Sequence, residues 1–451
     1  MVPRRIDCLR EAVTTSSGEV ISRSRRARRS GGWTTGPDQP DALLAAGRAL
    51  LYPGLALTSL LLVRGPAELP MGDILLAMAG LLGALSLARR TLRLPGLILV
   101  AGGLAGAGAL LASVVSSDPL GSVAIGVRVV YLVVVVPWIL LTLLTEQRHV
   151  MRAVLWLVGG AALCAVGALA QVVLGDIIPG GEITGDNRLT GFTGHVSDLG
   201  GITAMGVGAA LGAVFSPLPK RHRRMAEAVL ALSAMGLLLS GSVSGMLAVL
   251  AVMLFLGVRR AVRLRRAVVL GALGTAAGML ALSMLAEADA RNPVERFLVT
   301  TGETSVGGES NTAGSRFELA VRAVEGITER PLTGHGLVPP DNILLRTLSV
   351  HNNFLAAWHS GGILLFAGVV IASAIAVRYC LARDLSDPLC TTVAGATVAA
   401  MAFAQTAPSF YNRYYWLPIA FAVVLTVHAR ASSSAPGATD PPARHGRRPR
   451  G

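Results

Sequence analysis

Arginine and histidine residues in and beside one long polar stretch have the types and positions needed to act on a phosphorylated substrate. His351 ends this stretch and stands just before an apolar segment, so we expect it where a membrane meets water. Its imidazole titrates near neutral pH and can accept a proton as a general base. Arg316 lies within the same stretch, and a guanidinium matches two phosphate oxygens with two parallel hydrogen bonds. Chemistry on a lipid-linked substrate needs such a loop, which brings arginines and a histidine to the membrane surface.

Both residues also have purely structural interpretations, which the sequence leaves open. Arg316 opens a stretch with apolar residues at helical spacing, which predicts an amphipathic helix lying on the outer surface. The apolar positions of that helix are Phe317, Ala320, Val321, Val324 and Ile327. A cation in the first helical turn gains nothing from the helix dipole, which favours another role for Arg316, although a plain surface arginine fits too. His351 begins a second helix, with Ser349 as its predicted N-cap, and could serve only as a polar anchor.

Two further arginines are candidates for an anion site. Arg188 lies in a glycine-rich polar segment, residues 186–195, which is either a solvated turn or one wall of such a site. Arg128 lies inside an apolar segment, where a charged side chain costs at least ~3 kcal/mol unless it is paired or hydrated. It could extend to the lipid headgroups, hydrogen-bond inside the helix bundle or contact a lipid phosphate. His359 follows His351, but no carboxylate at a suitable spacing completes a metal site, and we expect neither a metal nor another cofactor.

The composition places these residues in a membrane protein. The 451 residues are 52% hydrophobic and only 15% charged, whereas about a quarter of the residues are charged in a soluble domain. About twelve segments have the length and apolar character of a membrane-spanning helix. They lie near residues 45–63, 70–88, 95–115, 121–144, 151–174, 196–215, 226–241, 244–258, 267–285, 355–377, 387–407 and 411–428. We therefore expect an all-α integral membrane protein, in which the short seventh and eighth segments are two spans or one re-entrant hairpin.

The arginines in the short loops predict the orientation of these segments. Loops assigned to the inside hold most of them, whereas loops assigned to the outside hold only Arg64, Arg188 and Arg413. We therefore expect a multi-pass protein of the inner (cytoplasmic) membrane with both termini in the cytoplasm. The net charge of +14 reflects this topology and the basic tails, so we expect no nucleic-acid partner.

Three regions follow from the same pattern. Residues 1–41 and 431–451 are rich in arginine with Ser, Gly or Pro, and we expect disordered cytoplasmic tails there. Residues 42–430 form the predicted membrane domain. Within it, residues 286–352 form one large extracytoplasmic loop that contains short helices.

Three patterns stand out in the polar segments: Arg-x-x-Gly-Phe in an outer loop, an arginine followed by a helix and Pro-Leu-x-Gly-x-Gly, and His-Asn followed after nine residues by Gly. They appear here as Arg188-Leu189-Thr190-Gly191-Phe192, as Arg316 with Pro331-Leu332-Thr333-Gly334-His335-Gly336, and as His351-Asn352 with Gly362. Through these patterns the chain resembles the O-antigen ligase and polymerase superfamily of bacterial membrane glycosyltransferases over about residues 95–380. The order and the spacing of the three patterns agree with the predicted topology.

The resemblance implies a reaction and its participants. A glycan carried on undecaprenyl pyrophosphate would be transferred, at the outer face of the membrane and without a cofactor, to a hydroxyl of an acceptor glycan or lipid. Membrane lipids would surround the polyprenyl tail. His351 would be the general base and Arg316 would hold the pyrophosphate. The further candidates for substrate binding are Arg188, Arg128, Asn352 and His335.

The chain departs from the family at two positions. Leu365 stands where relatives place a second glycine after Gly362, and Val243 stands where they often place an arginine. That arginine is thought to hold the pyrophosphate together with the long-loop arginine, so Arg188 or Arg128 would have to replace it. Two other functions stay open: a transporter or flippase for a lipid-linked or anionic substrate, and a non-catalytic scaffold of an envelope-synthesis complex. The absence of matching sequence halves counts against a transporter.

Overall fold

The computed structural model describes most of the predicted membrane domain. It covers residues 39–63, 70–86, 94–175, 178, 181–184, 188–259, 312–338, 350–407 and 409–433, with the backbone alone at 39–41, 312–316 and 431–433. The ninth apolar segment, residues 267–285, lies outside the described residues. So do most of the two predicted tails and much of the predicted loop 286–352.

The described residues are helical apart from connecting loops and one isolated antiparallel bridge, Ile183 with Leu189. The α-helices are α1 (Gln39–Leu57), α2 (Met71–Ser86), α3 (Gly96–Val115), α4 (Pro119–Val130), α5 (Val136–Leu143), α6 (Gln147–Leu174), α7 (Val196–Val214), α8 (Lys220–Ser240), α9 (Val243–Val258), α10 (Thr312–Glu329), α11 (Asn353–Ala382), α12 (Pro388–Phe403) and α13 (Arg413–Ser433). Each predicted apolar segment within the described residues corresponds to one of these helices, or to α4 and α5 together. The seventh and eighth segments are two separate helices, α8 and α9.

Within the described ranges, five helical stretches are long and apolar enough to cross a membrane. They are Gly96–Val115, Pro119–Leu143, Gln147–Leu174, Val196–Val214 and Asn353–Ala382. Shorter apolar helices are Ala42–Leu57, Met71–Ser86, Val243–Val258 and Pro388–Phe403. The part of the chain that the structure describes is thus all-helical and fits a multi-pass membrane protein, while the total of about twelve spans stays a prediction.

One span changes its helical pitch. Between α4 and α5 the residues Tyr131–Val135 form a π-helix, in which the N–H of Val136 donates to the carbonyl of Tyr131, five residues back. Pro137 follows at once and has no N–H to donate, while its ring crowds the carbonyl four residues before it. A π-helical turn beside a proline absorbs this conflict without breaking the span.

Helix α7 forms the centre of the described bundle. Nearly all of its residues are buried, against α6, α8, α9 and α12. Gly208 on α7 and Gly395 on α12 meet so closely that a methyl group on either would strike the backbone of the other. Small residues at such crossings let membrane helices approach and gain dispersion contacts that lipid cannot supply.

Contacts between helix ends divide the loops into two groups. At one end the N–H of Leu62 donates to the carbonyl of Phe192 at 3.0 Å. At the other end a terminal nitrogen of Arg259 donates to the carbonyl of Arg383 at 2.9 Å. The first group, here called the site end, contains the described parts of the predicted outer loops. The second group, here called the basic end, contains the described parts of the predicted inner loops. Which of the two ends faces the cytoplasm stays a prediction.

Candidate active site

The glycine motif at residues 331–336 bonds to α11 through main-chain groups. The N–H of His335 donates to the carbonyl of His359 at 3.0 Å. In the opposite direction, the N–H of Ile363 donates to the carbonyl of Pro331 at 2.9 Å. These bonds satisfy backbone groups that α11 leaves without helical partners where its regular geometry is interrupted. The 331–336 segment is thereby fixed to the first turns of α11.

Gly362 is the residue at which α11 is interrupted. Its φ of 68° lies in the left-handed region, which side chains other than hydrogen tolerate poorly. A methyl group there would also run into the carbonyl of Leu332. A glycine is therefore needed at this position of the His-Asn pattern, because it lets α11 bend against the 331–336 segment. Leu365, which stands where relatives have a second glycine, is fully buried.

Two imidazoles fill the space between α10 and α11. The rings of His335 and His359 stack with their centroids 4.7 Å apart and their planes inclined by 21°. The Nε2 atom of His335 lies 2.9 Å from the carbonyl oxygen of Gly326 on α10. A methyl group at Gly326 would approach His359 Nε2 to 2.9 Å, so this helix position must lack a side chain. In this structure His335 links the two helices, and its predicted part in substrate binding stays a prediction.

The packed face of α10 differs from the predicted apolar face. Buried side chains come from Leu319, Ala323 and Ile327, whereas Phe317 is 73% exposed and Val324 is 51% exposed. Leu319, Ala323 and Ile327 therefore face α11, while contact of the other predicted apolar residues with the outer membrane surface stays a prediction. Of the predicted apolar face, Ile327 alone is buried.

Arg316 lies on α10, but one turn further in than predicted. The helix begins at Thr312, so Arg316 is in its second turn, where the unfavourable effect of the helix dipole is already weaker. Its side chain is not among those that the structure describes. At 1.5 Å per residue, its Cα lies about 15 Å along α10 from Gly326, the point where the helix meets the two imidazoles.

His351 stands immediately before the residue that caps α11. That cap is Asn352 and not Ser349, which lies outside the described residues. The Oδ1 atom of Asn352 accepts a hydrogen bond from the N–H of Phe354 at 3.0 Å. Its Nδ2 atom donates to the carbonyl of Gln405 at 3.2 Å. Asn352 thus fixes the backbone beside the half-buried His351, and its predicted contact with substrate stays a prediction.

The loop between α12 and α13 connects the starts of several helices at the site end. The N–H of Ser409 donates to Oδ1 of Asn353, the first residue of α11, at 3.0 Å. Ser244 on α9 donates to a carbonyl of the same loop at 3.5 Å. Asn412 reaches Asp198, in the first turn of α7, at 3.5 Å. Hydrogen bonds that each involve at least one side chain, from the loop or from the helix it meets, therefore set the relative positions of α7, α9 and α11.

A buried ion pair continues this connection to α2. Arg413, the first residue of α13, is 7% exposed. Its Nε donates to Oδ1 of Asp73 at 2.7 Å, and a terminal nitrogen donates to the other carboxylate oxygen. In the sequence, Arg413 is one of three arginines in the predicted outer loops, and its pairing with Asp73 was not predicted. The available signal was an acidic residue at the start of an apolar segment.

Arg128 on α4 lies beside this ion pair. Arg413, Asp73 and Tyr411 are the groups whose charges or dipoles act on its guanidinium. Among the described residues Arg128 has no hydrogen bond and no ion pair. The three interpretations offered by the sequence, which are extension to the headgroups, a hydrogen bond inside the bundle and contact with a lipid phosphate, stay predictions.

Arg188 contacts the turn between α8 and α9. Its Nε donates to the carbonyl of Ser240, the last residue of α8, at 2.8 Å. Ser242 then caps α9, accepting the N–H of Gly245 at 3.2 Å, and Val243 is the first residue of that helix. The guanidinium of Arg188 is thus held at the turn where relatives place the arginine that this chain lacks.

The predicted site residues reach the site end on different elements. Arg128 belongs to α4 and Arg316 to α10, His351 precedes α11, and Arg188 lies between α6 and α7. Such a site depends on long-range contacts, which the 331–336 segment and the α12–α13 loop supply.

Comparison with known protein families gives one match. Residues 228–370 match the family model described as O-antigen ligase. The matched region begins in α8 and ends in α11, so it contains Arg316, His335, His351 and Asn352 but not Arg188 or Arg128. No curated protein matches the chain. The resemblance seen in the sequence is thereby confirmed.

Proposed function

Because residues 228–370 carry an O-antigen ligase domain, we propose that the protein is a membrane glycosyltransferase acting on a lipid-linked glycan. It transfers or polymerises a glycan from undecaprenyl pyrophosphate at the outer face of the cytoplasmic membrane. The acceptor is a hydroxyl of another glycan or of a lipid. The product belongs to the cell-surface polysaccharide.

The attachment of α10 to α11 is the observation that carries the proposal. Arg316 lies on the first helix and His351 stands at the head of the second. Main-chain bonds from the 331–336 segment and the stack of His335 on His359 hold the two helices together. A cation and a base on helices fixed in this way keep one geometry, which is the requirement for reacting a bound donor with a bound acceptor.

The proposed reaction moves one proton and breaks one bond. His351 takes the proton of the acceptor hydroxyl while the hydroxyl oxygen attacks the anomeric carbon of the glycan. The bond from that carbon to the pyrophosphate oxygen breaks, and undecaprenyl pyrophosphate leaves with the bonding electron pair. Arginines near the leaving group stabilise the negative charge that develops on it in a partly dry site.

We propose that two arginines stabilise the negative charge on the leaving group. Arg316 takes the role of the long-loop arginine. Arg188 takes the role of the arginine missing at Val243, because its Nε is already bonded to Ser240 three residues before that position. A guanidinium at this turn has the geometry that matches two phosphate oxygens.

The first test replaces the general base. His351→Ala should reduce turnover by about a hundredfold or more, the usual contribution of a positioned base, while expression and thermal unfolding stay near wild type. The measurement is transfer of a labelled glycan from undecaprenyl pyrophosphate in proteoliposomes, with release of undecaprenyl pyrophosphate counted in parallel. Turnover within a few-fold of wild type would remove His351 from this role.

The second test asks whether Arg316 must form two parallel hydrogen bonds to the pyrophosphate or need only supply a positive charge. Arg316→Lys keeps the charge but cannot form two parallel hydrogen bonds to a pyrophosphate, so most of the activity should be lost, and Arg316→Ala should lose nearly all of it. Arg322→Ala is the control on the same helix, because the exposed Arg322 pairs only with Glu318 one turn away, at 2.5 Å. Equal, near-wild-type activity of Arg316→Lys and Arg322→Ala would refute the pyrophosphate role.

The same vesicles separate the two alternative functions. Movement of the lipid-linked glycan across the bilayer without release of undecaprenyl pyrophosphate would indicate a flippase. Neither movement nor transfer by wild-type protein, together with normal polysaccharide in cells that carry His351→Ala, would indicate a scaffold.

A further inference from the structure

A cavity with a volume of about 500 Å³ lies at the basic end of the bundle. It is bounded by the ends of α7 and α9, by the end of α11 and by the loop that leads into α12. Each of these four helices has its other end in the candidate active site. The cavity is therefore separated from that site by the length of the helices, which is about 24 Å along α9. It is a different site from the one proposed above.

Charged groups at the cavity leave a net positive charge. Arg259 and Arg383 line it together with one carboxylate, that of Asp384. The backbone N–H and the hydroxyl of Ser386 donate to this carboxylate at 2.9 and 2.7 Å, and they keep the pKa of Asp384 below its usual range. Asp384 is thus charged at neutral pH and cancels one of the two cations. The other remains available to an anion.

The two arginines are held in place but keep donors to spare. One terminal nitrogen of Arg259 donates to the carbonyl of Arg383. The guanidinium of Arg383 lies 5.8 Å from the centroid of the Tyr379 ring. A guanidinium has five N–H groups, so each side chain can also bind phosphate oxygens. A phosphate between them would bridge the ends of α9 and α11.

The rest of the lining is apolar. Phe215, Pro217, Val258 and Leu385 form this part of the wall. Val258 is 71% exposed although it precedes a charged residue at a helix end. A site for a soluble anion has no use for such a wall, whereas an amphiphile needs a polar contact and an apolar contact side by side. Membrane lipids are the amphiphiles present at this depth.

We propose that this cavity binds the phosphate-bearing headgroup of an anionic phospholipid. Arg259 and Arg383 hold the phosphate, and the apolar wall covers the first carbons of the acyl chains. The lipid comes from the leaflet at the basic end, where α8 also begins with the cationic run Lys220–Arg224. Clusters of basic residues at a membrane surface attract anionic lipids in the same way.

Lipid retention by the full-length protein tests the proposal. The purified chain is mixed with phosphatidylglycerol and phosphatidylcholine, and bound lipid is counted by native mass spectrometry. Wild-type protein should retain phosphatidylglycerol in preference, and Arg259→Gln with Arg383→Gln should reduce that retention at least fivefold. Arg378→Gln is the matched control, because Arg378 is an exposed arginine near the same end of α11 but does not line the cavity. Equal loss in the control and in the double variant would refute a defined site.

A second measurement uses wild-type protein, so it does not depend on folding of the double variant. It also distinguishes a lipid from a soluble anion as the ligand. Wild-type protein is irradiated with a photoreactive phosphatidylglycerol, and the modified peptides are mapped. Modification should fall on residues 215–217 and 383–386, and excess glycerol phosphate should not prevent it. Displacement by glycerol phosphate would assign the cavity to a soluble anion, and modification elsewhere would refute the site.

Discussion

Two regions of the site end position the candidate catalytic residues in different ways. The 331–336 segment bonds to α11 through main-chain groups, so its side chains matter only where the backbones approach closely. The contacts around the α12–α13 loop involve side chains instead, those of Asn353 at the start of α11, Asn412 in the loop and Arg413 at the start of α13. The two regions should therefore be sensitive to different substitutions. The first region depends on glycine, and the second depends on the identity of each polar residue.

The largest effect on stability is expected at the ion pair beside the α12–α13 loop. Arg413→Leu removes the partner of Asp73 and leaves a carboxylate in a buried position, which costs about 3–5 kcal/mol of unfolding free energy. Asp73→Leu combined with Arg413→Leu should recover much of that loss, because no charge is then left unpaired. Thermal unfolding in detergent micelles measures both. A double variant as unstable as Arg413→Leu would show that the pair acts by more than charge compensation.

A smaller effect is expected in the 331–336 segment. Gly362→Ala forces a side chain into the left-handed region and against Leu332, and strain of this kind costs about 1–3 kcal/mol. Glycan transfer should fall as well, because α10 and α11 lose their fixed relation. Gly103→Ala is the matched control, since no atom lies within 4 Å of a methyl group added at that helical position. If the two variants unfold at the same temperature, the left-handed glycine is not what holds this region.

The smallest effect is expected at Asn352, where the two regions meet. Asn352→Ala removes the N-cap of α11 and should cost about 1 kcal/mol. Asn352→Asp keeps an oxygen for the cap but loses the amide donor to Gln405. Unfolding free energies of the two variants separate the contributions. If Asn352→Asp is as unstable as Asn352→Ala, the bond to the α12–α13 loop matters more than the cap.

The sequence predicted local features of this protein well and long-range features poorly. The third apolar segment, residues 95–115, corresponds to α3 (Gly96–Val115), because a run of apolar residues determines a span locally. The ion pair between Asp73 and Arg413 was missed, because the sequence gives no spacing rule for residues brought together by packing.

The predicted details of the site show the same limit. Ser349 fits the N-cap preference, yet Asn352 is the cap, since a motif gives a helix start only to within a few residues. The apolar spacing of α10 included Ile327 but not Leu319 and Ala323 among the packed residues, because spacing alone does not show which side of the helix meets α11. Arg188 was placed at an anion site on its type, and only the fold brings it to the turn before Val243.

The π-helix at Tyr131–Val135 places one more residue between Arg128 and the packed residues of α5 than an α-helix would. Each residue of an α-helix turns the chain by about 100°, whereas each residue of the wider π-helical turn turns it by less. The extra residue is therefore absorbed where it lies, and α4 and α5 keep the relative azimuth of one continuous helix. Loss of a single residue from this turn would convert it to an α-helical turn and leave Arg128 on the same side of its span.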